Sequence, residues 1–429
     1  MRARGRGGPG KVAETLRVER IAAGGDGVGR LSDGVVVFVP SVAAGELVEA
    51  EVDRSRRPAR GRLLRVVEPS PSRVEPACAH VRECGGCDLM HLAVSAQQDA
   101  HAAIVREAVA HATGVAEPPA VRVHAAEAAL GYRTRARLFA RADRGRVRVG
   151  YRAAGSHAVA AVDACLVLDA TLAPLVGELP ALLAGAKGEG DLSIARGEGA
   201  RPVLDVAWRG DLPPAFWSRI DERVASGAWA GARVRLEGVA TPANFGDPRA
   251  VLAGVDGAPL RLAAGAFAQP SEAGAVALAR RVADLAAPRD RHVLELFAGS
   301  GTLSVALAPG AASFTAVEID PEAAACAREN LASRALAGKV FAADADAHVI
   351  PPRAEVVVLD PPRTGAVGAA RALAASRAKV VVYVACDPPT LARDLAVLTE
   401  RTFVLTDLET FELFPQTSHV ETVARLVRR

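Results

Sequence analysis

Cys386 closes the apolar run KVVVYVA and is followed by Asp387, Pro388 and Pro389. Such a run reads as a buried strand, so its last residue emerges at the rim of a sheet rather than inside it. A thiolate there is a soft nucleophile that adds readily to carbon-6 of a pyrimidine ring. Addition turns carbon-5 into an enolate-like centre that can accept a methyl group. A general base must then remove the carbon-5 proton before the thiolate can leave. Glu421, in TSHVETVARLVRR with His419 beside it, is the candidate, although a glutamate on a terminal strand is also an ordinary surface residue. The bland reading of a cysteine, a small buried hydrophobe, suits Cys326 inside EAAACAREN. It suits Cys386 poorly.

A methyl donor needs a site on the same rim. The strand HVLELF runs into AGSGTLSVALA, with Gly299 and Gly301 at the strand-to-helix turn, where a side chain would block a ligand's approach to the backbone. Glu318 ends the next strand, FTAVEID, where an acid can accept hydrogen bonds from both ribose hydroxyls. The third glycine of a dinucleotide fingerprint is replaced by Ser304, so a pyrophosphate cradle is less well supported than an S-adenosylmethionine (SAM) site. Asp344 follows the third strand and Asp360 the fourth, again at carboxyl ends, where open α/β sheets bind ligands. Asp360-Pro361-Pro362-Arg363 is a rigid turn. Amino-methyltransferases that act on adenine have a similar turn followed by an aromatic residue. Arg363 in that place argues against an adenine target.

Cys78, Cys84 and Cys87 form a C-x5-C-G-G-C cluster, and Cys165 stands far downstream. The charged N-terminus has no apolar core behind it, so it does not read as a secretory signal and a disulfide framework is not expected. Four thiolates can hold structural zinc or a [4Fe–4S] cluster. Two close pairs would favour zinc; three clustered cysteines and one distant one lean towards iron–sulfur. Gly85 and Gly86 leave room and free amides beside them.

The elements that must carry these residues divide the chain in three. With 429 residues, it exceeds one ordinary domain. Residues 12–66 contain five short strands separated by glycine turns, the pattern of a small OB-type barrel. Pro69, Pro71 and Pro76 mark a linker; Val94 to Ala112 has helical periodicity; residues 120–265 are mainly strand-like, with RARLFARADRGRVRVGYRA as a basic hairpin. After Pro288 strands alternate with helices, which implies a mostly parallel sheet covered on both faces. No apolar run approaches the roughly 18–20 residues that span a bilayer, so neither a membrane partner nor a location other than the cytoplasm is expected. The net charge of +3 is mild, but arginines cluster at Arg2–Arg6 with Lys11, at Arg54–Arg65 and at Arg133–Arg148. Such clusters suit a polyanion or, equally, a solubilising surface.

Taken together, these motifs resemble the RNA uracil-5 methyltransferase family, in particular members with a TRAM domain and an iron–sulfur cluster. Gly24–Gly29 and Val35–Pro40 resemble a TRAM domain, a small RNA-binding barrel. CGGCDLMHL resembles the family's cluster segment; Tyr132-Arg133-Thr134-Arg135, Gly155-Ser156-His157 and Gly265-Ala266-Phe267-Ala268-Gln269 resemble central segments. VYVACDPPTLARDL and HVETVARL are the most specific matches. The resemblance implies an α/β fold: a class I, Rossmann-like SAM-dependent methyltransferase domain at residues 266–429, a TRAM/OB-like barrel at 1–68, and a β-rich domain with the cluster at 69–265. It implies Cys386 as nucleophile and Glu421 as proton acceptor, Gln269, Phe297 and Thr302 at the SAM site, and a [4Fe–4S] cluster on Cys78, Cys84, Cys87 and Cys165. Ser271 and Thr302 stand where the family usually has asparagine. The implied substrate is RNA, ribosomal before transfer RNA, acted on by a monomer. The rivals are an RNA cytosine-5 methyltransferase, which would usually carry a second cysteine where this chain has Asp360-Pro361-Pro362-Arg363, and a non-catalytic iron–sulfur protein that binds RNA.

Overall fold

The structure is a computed structural model that describes residues 12–115 and 117–429. The basic cluster at Arg2, Arg4, Arg6 and Lys11 lies outside the described residues.

Strands Val12–Ile21, Gly27–Arg30, Val36–Val39, Leu47–Asp53 and Ala59–Glu68 close into a barrel in the order first, second, third, fifth, fourth. Leu47–Asp53 alternates buried and half-buried residues at every step, the two-residue period of a strand with one face in a core. Val18, Val37, Val39, Val48 and Val52 fill the interior. Gly29 is required where the barrel narrows, since a Cβ there would lie 2.3 Å from the Arg17 carbonyl oxygen. The barrel arginines are largely matched to acids: Arg54 with Glu14 and Asp33, Arg60 with Asp26, Arg65 with Glu49. Exposed pairs of this kind are weak, so phosphates can displace the carboxylates at little cost.

The middle of the chain builds a seven-stranded sheet that includes the expected basic hairpin, Arg135–Asp143 paired with Arg146–Arg152. Helices Ala173–Leu182 and Pro214–Ala225, hidden in sequence by their prolines and short length, cover it and bury Trp208, Phe216 and Leu192.

The C-terminal sheet has eight strands. Lys339–Ala342, Ser313–Glu318, His292–Leu296, Val356–Leu359 and Val380–Ala385 lie parallel in that spatial order. The central strands Val356–Leu359 and Val380–Ala385 are buried at every residue, as strands covered on both faces must be. Glu421–Arg428 joins antiparallel beside Val380–Ala385, followed by Phe403–Phe411. Val121–His124 then extends the edge, and helix Val94–Thr113 packs on helix Pro388–Thr399. Two elements from the middle of the chain thus complete the C-terminal sheet. Edge addition by a four-residue strand leaves no distinctive pattern in sequence. Among the described residues, no helix is long and apolar enough to cross a membrane.

One buried acid ties the rim of this sheet together. Asp394 accepts the Tyr383 hydroxyl and the Ala366 N–H, each at 2.7 Å, and pairs with Arg393, which donates to the Thr364 carbonyl. The strand that ends at Cys386 and the turn that begins at Asp360 are thereby fixed to one helix.

Candidate active site

Val380–Ala385 and Glu421–Arg428 pair with Ala385 opposite Thr422. One further step along that register sets Cys386 beside Glu421; opposed residues of an antiparallel pair stand about 4.5–5.5 Å apart at Cα. Past Cys386, the Asp387 carboxylate caps helix Pro388–Thr399 by accepting the Thr390 N–H at 2.9 Å, and Pro388 presets its first turn.

The electrostatics are crowded. Burial, then Glu421 and Asp360, push the Cys386 thiol up to about 11, while the Arg363 guanidinium pulls it back. Burial, then Asp360, holds the Glu421 carboxyl well above the ordinary range, against a Gln269 hydrogen bond and Arg363. Burial raises Asp360 to about 7. A thiol and two carboxyls therefore share a small volume that cannot hold all three charges at once. Glu421 Oε2 and Gln269 Oε1 are buried without a hydrogen-bond partner. Orphaned polar atoms in a cleft mark where a ligand's polar groups belong. His419, two residues before Glu421 in the chain, has its Nε2 3.2 Å from the Arg363 guanidinium. Burial and Arg363 lower its pKa, so the bare nitrogen accepts from Arg363.

The cofactor side lies along the same rim. Glu318 Oε2 accepts the Gly299 N–H at 2.7 Å and Oε1 accepts the Asp320 N–H at 2.8 Å. Each oxygen keeps a second lone pair, which fits the two hydroxyls of a ribose. Gly299 has φ +55° with open space above it. A Cβ on Gly301, at φ +88°, would lie 3.1 Å from the Ala327 Cα. The first glycine thus leaves room for a ligand and the second for a helix, with Thr302 next in the turn. Phe297 adopts φ +60°, a strained state for a side-chain-bearing residue, and packs on the core at the strand end. Asp344 is exposed one residue beyond Ala343, whose N–H meets the Glu318 carbonyl. Gln269 arrives on a segment held by the central sheet: Arg135 donates to the Ala268 carbonyl at 2.8 Å, and a Cβ at Gly265 would strike the Asp205 carboxylate. Ser271 caps the following helix by accepting the Gly274 N–H, a role that suits serine as well as asparagine. The sequence reading missed Glu295. It is buried behind the glycine turn, accepts the Ser304 hydroxyl at 2.5 Å, and is raised to about 8 chiefly by burial. A lone acid in an apolar strand was the only signal for it.

Cys78, Cys84, Cys87 and Cys165 converge from residues far apart to line one cavity, with Arg133 and Tyr151. Burial and the neighbouring thiols raise Cys87 to about 12. The Gly86 N–H reaches Cys84 Sγ at 3.4 Å and the Tyr151 hydroxyl lies 3.5 Å from Cys165 Sγ. Among the described residues, no three His, Cys, Asp or Glu side chains form a group ready for a single metal ion. The four thiols ring a space instead.

The chain is similar to known proteins along nearly its whole length. Residues 12–64 match the TRAM domain, residues 261–378 the methyltransferase small domain, and residues 339–429 the tRNA (uracil-5-)-methyltransferase family. The chain is 35% identical to a 23S rRNA (uracil(1939)-C(5))-methyltransferase of Chromohalobacter salexigens, covering 97% of this chain and 90% of the relative. A protein of the same description from Halomonas elongata is also 35% identical, with 96% and 89% covered. In fold, the chain is similar to the Pyrococcus abyssi tRNA (uracil-54, C5)-methyltransferase solved with S-adenosyl-L-homocysteine: TM-score 0.71, 22% identity, 96% of this chain and 100% of that one covered.

Two expectations follow from the site. Glu318→Ala removes the acceptors for the ribose and should weaken SAM binding by about 1.5–3 kcal/mol. Calorimetric titration with SAM reads this directly, and an unchanged affinity refutes the assignment. Glu295 has a folded-state pKa above its unfolded one, so its contribution to stability is full below the unfolded value and is lost as pH rises through about 8. Stability in chemical denaturation should therefore decline as pH rises from mildly acidic to about 8, and Glu295→Gln should flatten that decline. An identical slope in the variant would show that Glu295 ionises freely.

Proposed function

Because this chain belongs to the RNA uracil-5 methyltransferases, enzymes that transfer a methyl group from SAM to carbon-5 of a uridine, we propose that it acts on 23S ribosomal RNA through a covalent Cys386 adduct. The observation that carries the mechanism is the strand register that brings Cys386 and Glu421 side by side on the rim that also holds Glu318. The substrate rests on the two relatives named for 23S rRNA, whose similarity runs through the barrel, the cysteine segment and the catalytic sheet alike. The transfer-RNA reading has behind it a family match confined to residues 339–429 and a likeness of fold.

The target uridine leaves its stack to reach the cleft, as an enzyme acting on a base requires. The Cys386 thiolate, steadied by the Arg363 guanidinium, forms a bond to carbon-6, and the electron pair of the ring double bond moves to carbon-5. SAM, which Glu318, Gly299 and Gln269 would hold, would supply the methyl group that carbon-5 receives, its sulfur keeping the bonding pair of the broken sulfur–methyl bond and leaving as S-adenosylhomocysteine. Glu421 takes the carbon-5 proton, the double bond re-forms, and the Cys386–carbon-6 bond breaks to return the thiolate. Glu421 must be ionised to do so. Its raised proton affinity makes it a stronger base than an exposed carboxylate, provided the ligands complete the site's charge balance. Asp360, which opposes the ionisation of both Cys386 and Glu421, is suited to hold the pyrimidine edge or the cofactor amine.

We also assign a [4Fe–4S] cluster to Cys78, Cys84, Cys87 and Cys165. Support comes from four thiols around one cavity rather than around one point, from the burial that makes uncompensated thiolates costly, and from the Gly86 amide and Tyr151 hydroxyl turned towards sulfur. A cluster there would supply the positive charge that lets the four thiols ionise together. Anaerobic purification should yield about four iron and four labile sulfide per chain; stoichiometric zinc without sulfide would sink the assignment.

The catalytic roles separate by what each variant accumulates. Cys386→Ala should bind RNA and SAM yet form neither adduct nor product. Glu421→Gln should accumulate an RNA–protein adduct that survives denaturing electrophoresis and carries the methyl group from SAM. The double variant should form none. Normal turnover by Glu421→Gln, or an adduct with Cys386→Ala, would reverse these roles.

A further inference from the structure

The loop joining strands Phe403–Phe411 and Glu421–Arg428 leads into the active site, yet its anchors lie outside its own sheet. Glu412, Gln416 and Thr417 are buried. Gln416 adopts φ +73°, a left-handed state that a non-glycine residue holds only under external restraint. Gln97 accepts its N–H at 2.8 Å and donates to its side-chain oxygen at 3.0 Å, while the Gln416 carbonyl accepts the Leu89 N–H at 3.0 Å. The Pro415 carbonyl accepts the Tyr132 hydroxyl at 3.1 Å. His101 bridges Glu412 at 2.9 Å and the Thr417 carbonyl at 3.0 Å. Ser418 gives both its N–H and its hydroxyl to the Asp88 carboxylate, each at 2.6 Å. Asp88 directly follows Cys87. The barrel closes over the same point: a Cβ on Gly25 would lie 2.9 Å from Asp88 Oδ2 and 3.1 Å from the Ser418 Cβ. One residue beyond Ser418 is His419, against Arg363.

We propose that Asp88 is a positioning residue for the reaction: it clamps Ser418 to the cysteine segment and so seats His419 against Arg363, the guanidinium that faces Cys386. The argument is geometric. Two short bonds from one carboxylate to adjacent donors fix both the position and the direction of the backbone at Ser418, and charge-assisted bonds are about twice as strong as neutral ones. Fixing that backbone narrows the positions open to the adjacent His419 ring, which lies against Arg363. The clamp therefore makes the order of the cysteine segment a condition for an ordered nucleophile site, although Asp88 touches neither RNA nor SAM in the mechanism above. This inference rests on the reading of Cys386 as nucleophile.

The test uses the full-length holoenzyme, an unmodified 23S ribosomal RNA transcript, and Asp88→Ala, Asp88→Asn and Ser418→Ala. Asp88→Ala should lower kcat on the order of tenfold, with KM for RNA, SAM affinity and iron content unchanged. Asp88→Asn, whose amide oxygen still accepts the Ser418 N–H, should recover most of the loss, and Ser418→Ala should fall between. A second readout needs no turnover: the pH profile of Cys386 alkylation, followed by peptide mass mapping. Cys386 is faced by Glu421 and Asp360, which oppose its ionisation, and by Arg363, which favours it. Loosening Arg363 should move the alkylation midpoint of Asp88→Ala upward by roughly half a unit or more. An unchanged kcat and midpoint, or a fall in kcat matched by a loss of iron, overturns the clamp. If Cys386→Ala itself still turns over, the nucleophile reading fails and the clamp with it; failure of the clamp alone leaves Cys386→Ala inactive.

Discussion

The site depends on one strand pairing. Five parallel strands bring Glu318, Gly299 and Asp360, the residues proposed to face SAM, to a common rim, but a parallel sheet alone offers no second chain direction there. The antiparallel entry of Glu421–Arg428 beside Val380–Ala385 supplies it. One strand reaches the rim as the other leaves it, so the thiol at the end of the first and the carboxyl at the start of the second face each other. A slip of one residue would turn Glu421 to the opposite face of the sheet. Phe403–Phe411, and Val121–His124 beyond it, cover the far side of that strand and hold its register.

The pairing brings an electrostatic conflict with it. Cys386, Glu421 and Asp360 are each pushed towards the neutral form by burial, and the two carboxyls oppose the ionisation of the thiol. Arg363 acts against both the thiol and the Glu421 shifts. The protein thus holds a strained set of acids in place by its fold, and the orphaned oxygens of Glu421 and Gln269 belong to the same strain. Residues at a reactive site commonly have such shifts, since a base or nucleophile with an ordinary pKa in an ordinary setting does little chemistry. Asp394 is the counterweight: with both oxygens engaged by Tyr383, Ala366 and Arg393, it keeps the Cys386 strand and the Asp360 turn from relaxing apart.

The three parts of the chain meet around that site. The central sheet holds Gln269 through Arg135 and the tight approach at Gly265. The cysteine segment holds the loop before His419 through Asp88 and Leu89, and the barrel turn at Gly25 rests on the same contact. An RNA gripped by the barrel is therefore gripped by a surface joined to the catalytic loop.

Much of this was legible in the residues. Five short strands parted by glycine turns suggested the barrel, the alternation after Pro288 suggested the parallel sheet, and Cys386, Glu318 and the two glycines were singled out by local pattern, because a strand's end is itself a short-range signal. The gathering of Cys165 with Cys78, Cys84 and Cys87 was expected from their spacing and the family resemblance, whereas the attachment of Val121–His124 and helix Val94–Thr113 to the C-terminal sheet and the bonds between Ser418 and Asp88 left no trace in sequence. Each of the last two is a contact between residues far apart in the chain, made by ordinary polar or apolar side chains with no spacing to give it away. Glu421 stood between the two cases: its type fitted a base, but only the register against Cys386 distinguishes it from a surface acid. Which groups could do the chemistry is written in the residues, since it is a property of side chains and their local strand or turn; which of them share a volume is settled only by the packed fold, since burial, orphaned oxygens and mutual charge exist only once distant segments come together.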